Sequence, residues 1–136
     1  MPTDDRSAVE QALAAFLDAF NHLDRERVEA CFADDATVFD AYGGQRRVGF
    51  WHERFDAWRA TRPGPPYQHL QPRDLRVQSL GDVALATFQL DHHPDTLGRR
   101  TLVLTRTQDG WKIAHLHASN MPREIGSEPP APSRRQ

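Results

Sequence analysis

The sequence predicts an α+β domain: helices come first, and a curved antiparallel sheet follows and packs against them. Apolar residues recur at three- and four-residue steps through the N-terminal half. After Pro66 the pattern changes to runs of alternating character, separated by Gly81-Asp82 and Asp109-Gly110 turns. A chain of 136 residues holds one core of this kind. Residues 1–121 are expected to form the domain and 122–136, polar and proline-rich, a disordered tail.

The elements follow in order. Thr3, Asp4 and Asp5 supply an N-cap and an acidic first turn. Val9, Leu13, Phe16, Leu17 and Phe20 then mark one face of an amphipathic helix over residues 5 to 22. Asp24 caps a second, shorter helix through Val28, Cys31 and Phe32. A strand ending at Gly43-Gly44 precedes a third helix, Gly49 to Thr61, whose Trp51, Phe55 and Trp58 form a stripe. Pro63, Pro65 and Pro66 interrupt the chain.

Tyr67 to Ser79 reads as a long extended segment, with Pro72 marking a bulge or an edge. Val83 to Asp91, Arg100 to Thr107 and Trp111 to Ser119 complete the strands, and Pro94 to Gly98 reads as a looser connection. Consecutive strands with short turns make a meander, with the helices on one side of it. Such a sheet curls around the first helix and encloses a conical cavity.

At 38% hydrophobic and 26% charged, the composition is that of a soluble globular protein. A formal charge of −2 provides no basic field for nucleic acid, and no apolar run reaches membrane-spanning length. The acidic N-terminus resembles neither a secretory signal nor a transit peptide, so a cytoplasmic location is expected. Cys31 is the single cysteine, which leaves no intrachain disulfide and no cysteine zinc motif.

One stretch carries chemistry. In Phe32 to Gly43, FADDATVFDAYG, strand alternation puts Val38, Asp40 and Tyr42 on one face and Thr37, Phe39 and Ala41 on the other. A carboxylate held beside an aliphatic and a phenol loses solvation, its pKa rises, and it becomes a proton acceptor near neutral pH. A strand-end acid facing solvent is the alternative.

FADDATVFDAYG, the element order and the closing WKIAHLHASN resemble the superfamily of ketosteroid isomerases, SnoaL-like polyketide cyclases and nuclear transport factor two. The resemblance covers residues 7 to 121 and implies a cystatin-like cone of three N-terminal helices on the sheet. His115, His117 and Ser119 look most like the end of the calmodulin-dependent kinase II association domain and its SnoaL-like relatives. The resemblance implies Asp40 as general base. It also places Phe16 and Leu102 where ketosteroid isomerases carry oxyanion donors, and neither side chain can donate. From the association domain, His69 matches a cavity histidine and Ala118 replaces an arginine. Arg100 or Arg106 is left as a substitute for the other cavity arginine.

Asp40 and His69 are therefore the expected catalytic pair, since a neighbouring carboxylate favours the protonated imidazole. Tyr42, Phe16, Trp51, Phe55, Leu116 and Ala118 are the expected substrate-lining residues. The resemblance implies that His115 and His117 lie on the outer sheet face, where relatives dimerise, and alternation adds Trp111, Ile113, Val103 and Val83 to that face. No third ligand accompanies the two histidines, so no metal and no cofactor are expected. His92-His93 read as loop residues. Two functions follow: a small cofactor-independent isomerase, cyclase or dehydratase acting on an apolar carbonyl compound, or a non-catalytic ligand-binding or dimeric association module.

Overall fold

The computed structural model describes residues 5–39, 52–93 and 95–122. The element order is α1 (Asp5–Asn21), α2 (Arg25–Ala30), β1 (Phe32–Phe39), α3 (His52–Thr61), β2 (Arg73–Leu80), β3 (Val83–His93), β4 (Thr96–Thr107) and β5 (Gly110–Pro122). Among the described residues, no helix is long and apolar enough to cross a membrane. The Thr3 cap, the Gly43-Gly44 stop, Gly49 to Trp51 and the tail from residue 123 lie outside the described residues.

Helix α1 forms where the apolar spacing predicts and buries Val9, Leu13, Phe16 and Leu17 along one stripe. Asp24 caps α2 by accepting the Arg27 N–H, as its residue type predicts. Leu23, between the two helices, adopts a φ of 50° and is fully buried. That conformation turns the chain and drops an aliphatic side chain into the core.

The sheet order is β1-β5-β4-β3-β2. Strands β2 to β5 form the expected antiparallel meander, whereas β1 joins the other edge parallel to β5. The sheet is therefore mixed rather than wholly antiparallel. A parallel neighbour needs a long crossover, here everything between β1 and β5. Gly81 and Gly110 take φ of 80° and 104° in the tight turns that separate β2 from β3 and β4 from β5.

Two connections differ from expectation. Residues 67–72 are not strand, and β2 begins only at Arg73. Its register slips between Arg73 and Arg76, close to where Pro72 predicts an irregularity at an edge. The expected loose connection after β3 is a short one, because β3 runs to His93 and β4 starts at Thr96. Pro94 lies outside the described residues.

One face of the sheet packs on α1. Ala84, Ala86, Phe88 and Leu90 of β3, Leu102 and Leu104 of β4, and Ile113 and Leu116 of β5 are buried there. The alanines at the centre of β3 leave room for the helix. Trp111 and Ile113, expected on the outer face, are 9% and 1% exposed and belong to this core. The cause is a bulge: Val103 pairs with His115 while Leu104 pairs with Ile113, so Ala114 is an extra residue in β5. It resets the strand's parity, leaving Leu116 inward and His115 outward while turning Ile113 and Trp111 inward.

Candidate functional site

The inward surface opposite the sheet is aromatic. Phe16 of α1 lies 5.9 Å from the Phe20 ring and 5.7 Å, edge-on, from Phe32 of β1. Phe20 meets Phe55 of α3 at 5.4 Å and Trp58 at 6.5 Å, both edge-on. Such edge-to-face contacts match the positive ring edge of one aromatic to the negative face of the next. Phe16 and Phe55 are buried, whereas Phe20 and Trp58 are half-buried and pack against the core. Helical spacing thus puts Phe55 and Trp58, the described members of the expected stripe, on one face, with Phe20 as the ring that joins α1 to α3.

On the sheet side, Leu116 is buried and pairs with Leu102, which is 0% exposed. Phe16 and Leu102 are thus hydrocarbon in the core, and the two expected oxyanion-donor positions offer no donor. Ala118 is half-buried against the core and pairs with Arg100, which in turn pairs with Phe88. Directly paired residues share a face, so Arg100 stands on the row of Ala118 and Phe88. Its Nη1 donates to the backbone oxygens of Arg99 and Ser119 and to Asn120 Oδ1.

Both arginines that sequence left open stand on inward rows, Arg106 paired with Trp111, and it is their partners that separate them. Arg106 is committed elsewhere: it forks onto Asp5, bonds Asp82, and lies 4.7 Å over the Trp111 ring.

His69 is exposed and lies outside any strand. The backbone around it is held to the end of α1, because the Tyr67 and Gln68 N–H groups donate to Asn21 O. Asn21 also donates from Nδ2 to Leu70 O at 3.0 Å and accepts the Leu70 N–H at 2.9 Å. Gln68 adds a bond from Nε2 to Phe20 O, and Arg62 braces the Gln68 side chain. This clamp escapes sequence reading, because its partners are 48 and 49 residues apart. An amide at the last turn of an amphipathic helix is the only local signal.

Asp40, Tyr42 and Trp51 lie outside the described residues. The strand leading to them is fixed: Val38 is 1% exposed and pairs with Leu116, and Phe39 is 36% exposed and pairs with His117. Val38 inward and Phe39 outward is the alternation the sequence predicts. On the outer face the Phe39 ring lies 5.5 Å from His115 and 5.1 Å from His117, and His115 Nδ1 is 2.7 Å from the Thr37 hydroxyl. Among the described residues, no group of three His, Cys, Asp or Glu is placed to hold a metal ion. The side chains of His92 and His93 are outside the described set.

Cys31 is half-buried, donates to Arg27 O, and burial pushes its thiol pKa up against the pull of Lys112 and Arg27. A thiol so placed is a poor nucleophile at neutral pH.

A family model described as a SnoaL-like domain matches residues 9–124. No curated protein sequence matches the chain significantly. Among solved structures, a calmodulin-dependent kinase II hub from S. rosetta superposes with a TM-score of 0.71 at 24% identity, covering 89% of this chain and 100% of that one. A candidate dehydratase of the NTF2-like family from Streptomyces avermitilis gives 0.70 at 23% identity, covering 89% and 99%. A candidate ketosteroid isomerase from Shewanella frigidimarina gives 0.63 at 22% identity, covering 82% and 94%. At these identities the likeness is one of fold.

Proposed function

The chain belongs to the SnoaL-like domain family, and from that premise we propose that it receives a small apolar, carbonyl-containing ligand between α1, α3 and the inward sheet face. In this reading Asp40 is the general base, and the reaction is a cofactor-independent isomerisation, cyclisation or dehydration. One observation carries the proposal: Phe16, Phe55 and Leu116 are buried in one apolar cluster, and Phe20, Trp58 and Ala118 pack against it. Small-ligand sites are mostly apolar with a few polar groups. An apolar surround also raises a carboxyl pKa toward the range of a useful base.

With Phe16 and Leu102 unable to donate, stabilisation of the developing negative charge falls to other groups. We assign it to Tyr42, which shares the parity of Asp40, and to His69. Arg100, on the Ala118 row, is a cation on this side of the sheet that favours a negatively polarised oxygen. The names of the dehydratase and ketosteroid isomerase neighbours agree with proton abstraction next to a carbonyl.

The base is tested by proton exchange, without knowing the product. Small ketones and β-hydroxy ketones incubated with the protein in D2O are followed by NMR for deuterium at the α-carbon. Wild type is expected to catalyse exchange and Asp40→Asn to lose it by about 10²- to 10⁴-fold. Equal exchange by the variant eliminates Asp40 as the base.

A second reading, a homodimeric association module, is favoured by a band on the outer face. Leu80 is 62% and Val83 37% exposed, and Leu85 and Val103 adjoin them across the strands. The hub neighbour is named for assembly. Light scattering at high concentration checks it, and a strict monomer rejects it.

A further inference from the structure

The outer face of the sheet divides into two halves. Near the Gly81 and Gly110 turns it carries the apolar band just described. Toward the opposite end two rows are polar, with the exposed Phe39 ring beside His117 at their edge. Thr87, Thr101 and His117 form one cross-strand row, and Gln89, Arg99 and Ser119 form the next. These two rows border a groove of about 430 Å³, with Asp74 of β2 at its rim. Its size falls within the range of small-molecule sites.

The groove's far wall has a structural cause. Asp74 adopts a φ of 55° where the β2–β3 register slips between Arg73 and Arg76. A bulge at an edge strand bends it and sharpens the local twist, which turns that end of β2 relative to the face. A non-glycine residue in the left-handed region is uncommon, and such outliers concentrate at binding sites.

The chemistry of the groove is also specific. Arg27, Arg59, Arg73 and Arg106 are each paired with aspartate. The Arg99 guanidinium is exposed and makes neither an ion pair nor a hydrogen bond among the described residues. It presents five donors in a planar fork that matches a carboxylate. Around it stand three hydroxyls, one carboxamide and an imidazole, all able to exchange hydrogen bonds with ligand hydroxyls. Asp74 accepts from such a hydroxyl and disfavours a second negative charge.

We propose that this groove is a binding site for a small hydroxycarboxylate carrying one negative charge. Arg99 takes the carboxylate with His117 as a further donor. Thr87, Thr101, Ser119 and Gln89 read the hydroxylated chain. The site lies on the opposite side of the sheet from the space assigned to the apolar ligand, and does not depend on it.

Gluconate is a suitable probe, titrated into the ¹⁵N-labelled full chain, with glucose and inorganic phosphate as separate arms. Saturable amide shifts are expected at residues 87–89, 99–101 and 117–119. Glucose and phosphate are expected to bind at least about tenfold more weakly, and Arg99→Gln to weaken gluconate by about 10- to 100-fold, the loss of a charge-assisted bond. Arg99 is exposed, so an unchanged melting temperature for the variant is expected and confirms its fold. Thr101→Val, tested in parallel, is expected to weaken gluconate while leaving phosphate unchanged. Shifts absent, non-saturating or centred on the inward face overturn the proposal. So does equal binding of glucose, which removes the role of charge, or of phosphate, which removes the role of the hydroxyls. Undiminished affinity in both variants does the same.

Discussion

Asn21 ends α1, and its carboxamide both donates to and accepts from the backbone of Leu70. These bonds join two segments that are far apart in sequence, and both are partly buried. Removing the side chain leaves a backbone N–H and a C=O without their partners. Asn21→Ala is therefore expected to cost about 2 kcal/mol, read from urea unfolding, two bonds at about 1 kcal/mol each. Asn21→Asp keeps the acceptor for the Leu70 N–H and is expected to lose less. Equal stability of wild type and Asn21→Ala contradicts this account. The residues visible in advance were those whose signal is local, Asp24 as a cap and Phe16 and Phe55 on helical stripes, together with Leu116, which the family resemblance put inward. Asn21, Gln68 and the divergence of Arg100 from Arg106 were not visible, because their partners are set by tertiary approach rather than by spacing.

At the scale of elements, alternation is a strong signal only as long as it is unbroken. It placed Val38 and Phe39 of β1 on opposite faces correctly and His115 and His117 of β5 on one face, which the family resemblance made the outer one. Applied through Ala114 it failed, because one bulged residue is indistinguishable in sequence from a regular one and reverses all positions before it. Neither is the parallel pairing of β1 with β5 local information, since it depends on where the chain returns. The bulge makes a prediction that a regular strand does not. Deleting Ala114 leaves Trp111, Ile113 and Leu116 all inward in an uninterrupted strand. Deleting Lys112 also regularises the strand, but it moves Ile113 outward and puts Ala114 in its place. A buried isoleucine traded for alanine costs about 2–5 kcal/mol. The Lys112 deletion is expected to be the less stable of the two by about that amount in urea unfolding. The reverse order would place the extra residue elsewhere in β5.

For the whole molecule, the question is what joins the helical layer to the rest beyond apolar contact. Two ion-pair groups latch α1 near its ends. Arg106 at the far end of β4 forks onto Asp5 in the first turn, and Arg27 of α2 bonds Asp18 in the last. Asp5 also lies favourably against the positive end of the helix dipole. The hydrogen bond from Arg106 holds the Asp5 carboxyl below the ordinary aspartate value of 3.8, and that from Arg27 does the same for Asp18. A carboxyl whose folded pKa is depressed stabilises the fold above its unfolded value, and the contribution is lost as pH falls through the folded one. Stability from these latches is thus complete above about pH 5 and declines below about pH 4. Melting temperature measured from pH 6 to pH 2 is expected to fall over the acid part of that range. Exposed pairs are screened, so the fall should shrink in 1 M salt. The double variant Arg27→Gln, Arg106→Gln is expected to start lower at pH 6 and to show a shallower acid slope, because its carboxyls titrate nearer their unfolded values. If wild type and double variant trace parallel curves, the acid sensitivity belongs to other carboxylates and the latches do not couple α1 to β4 and α2.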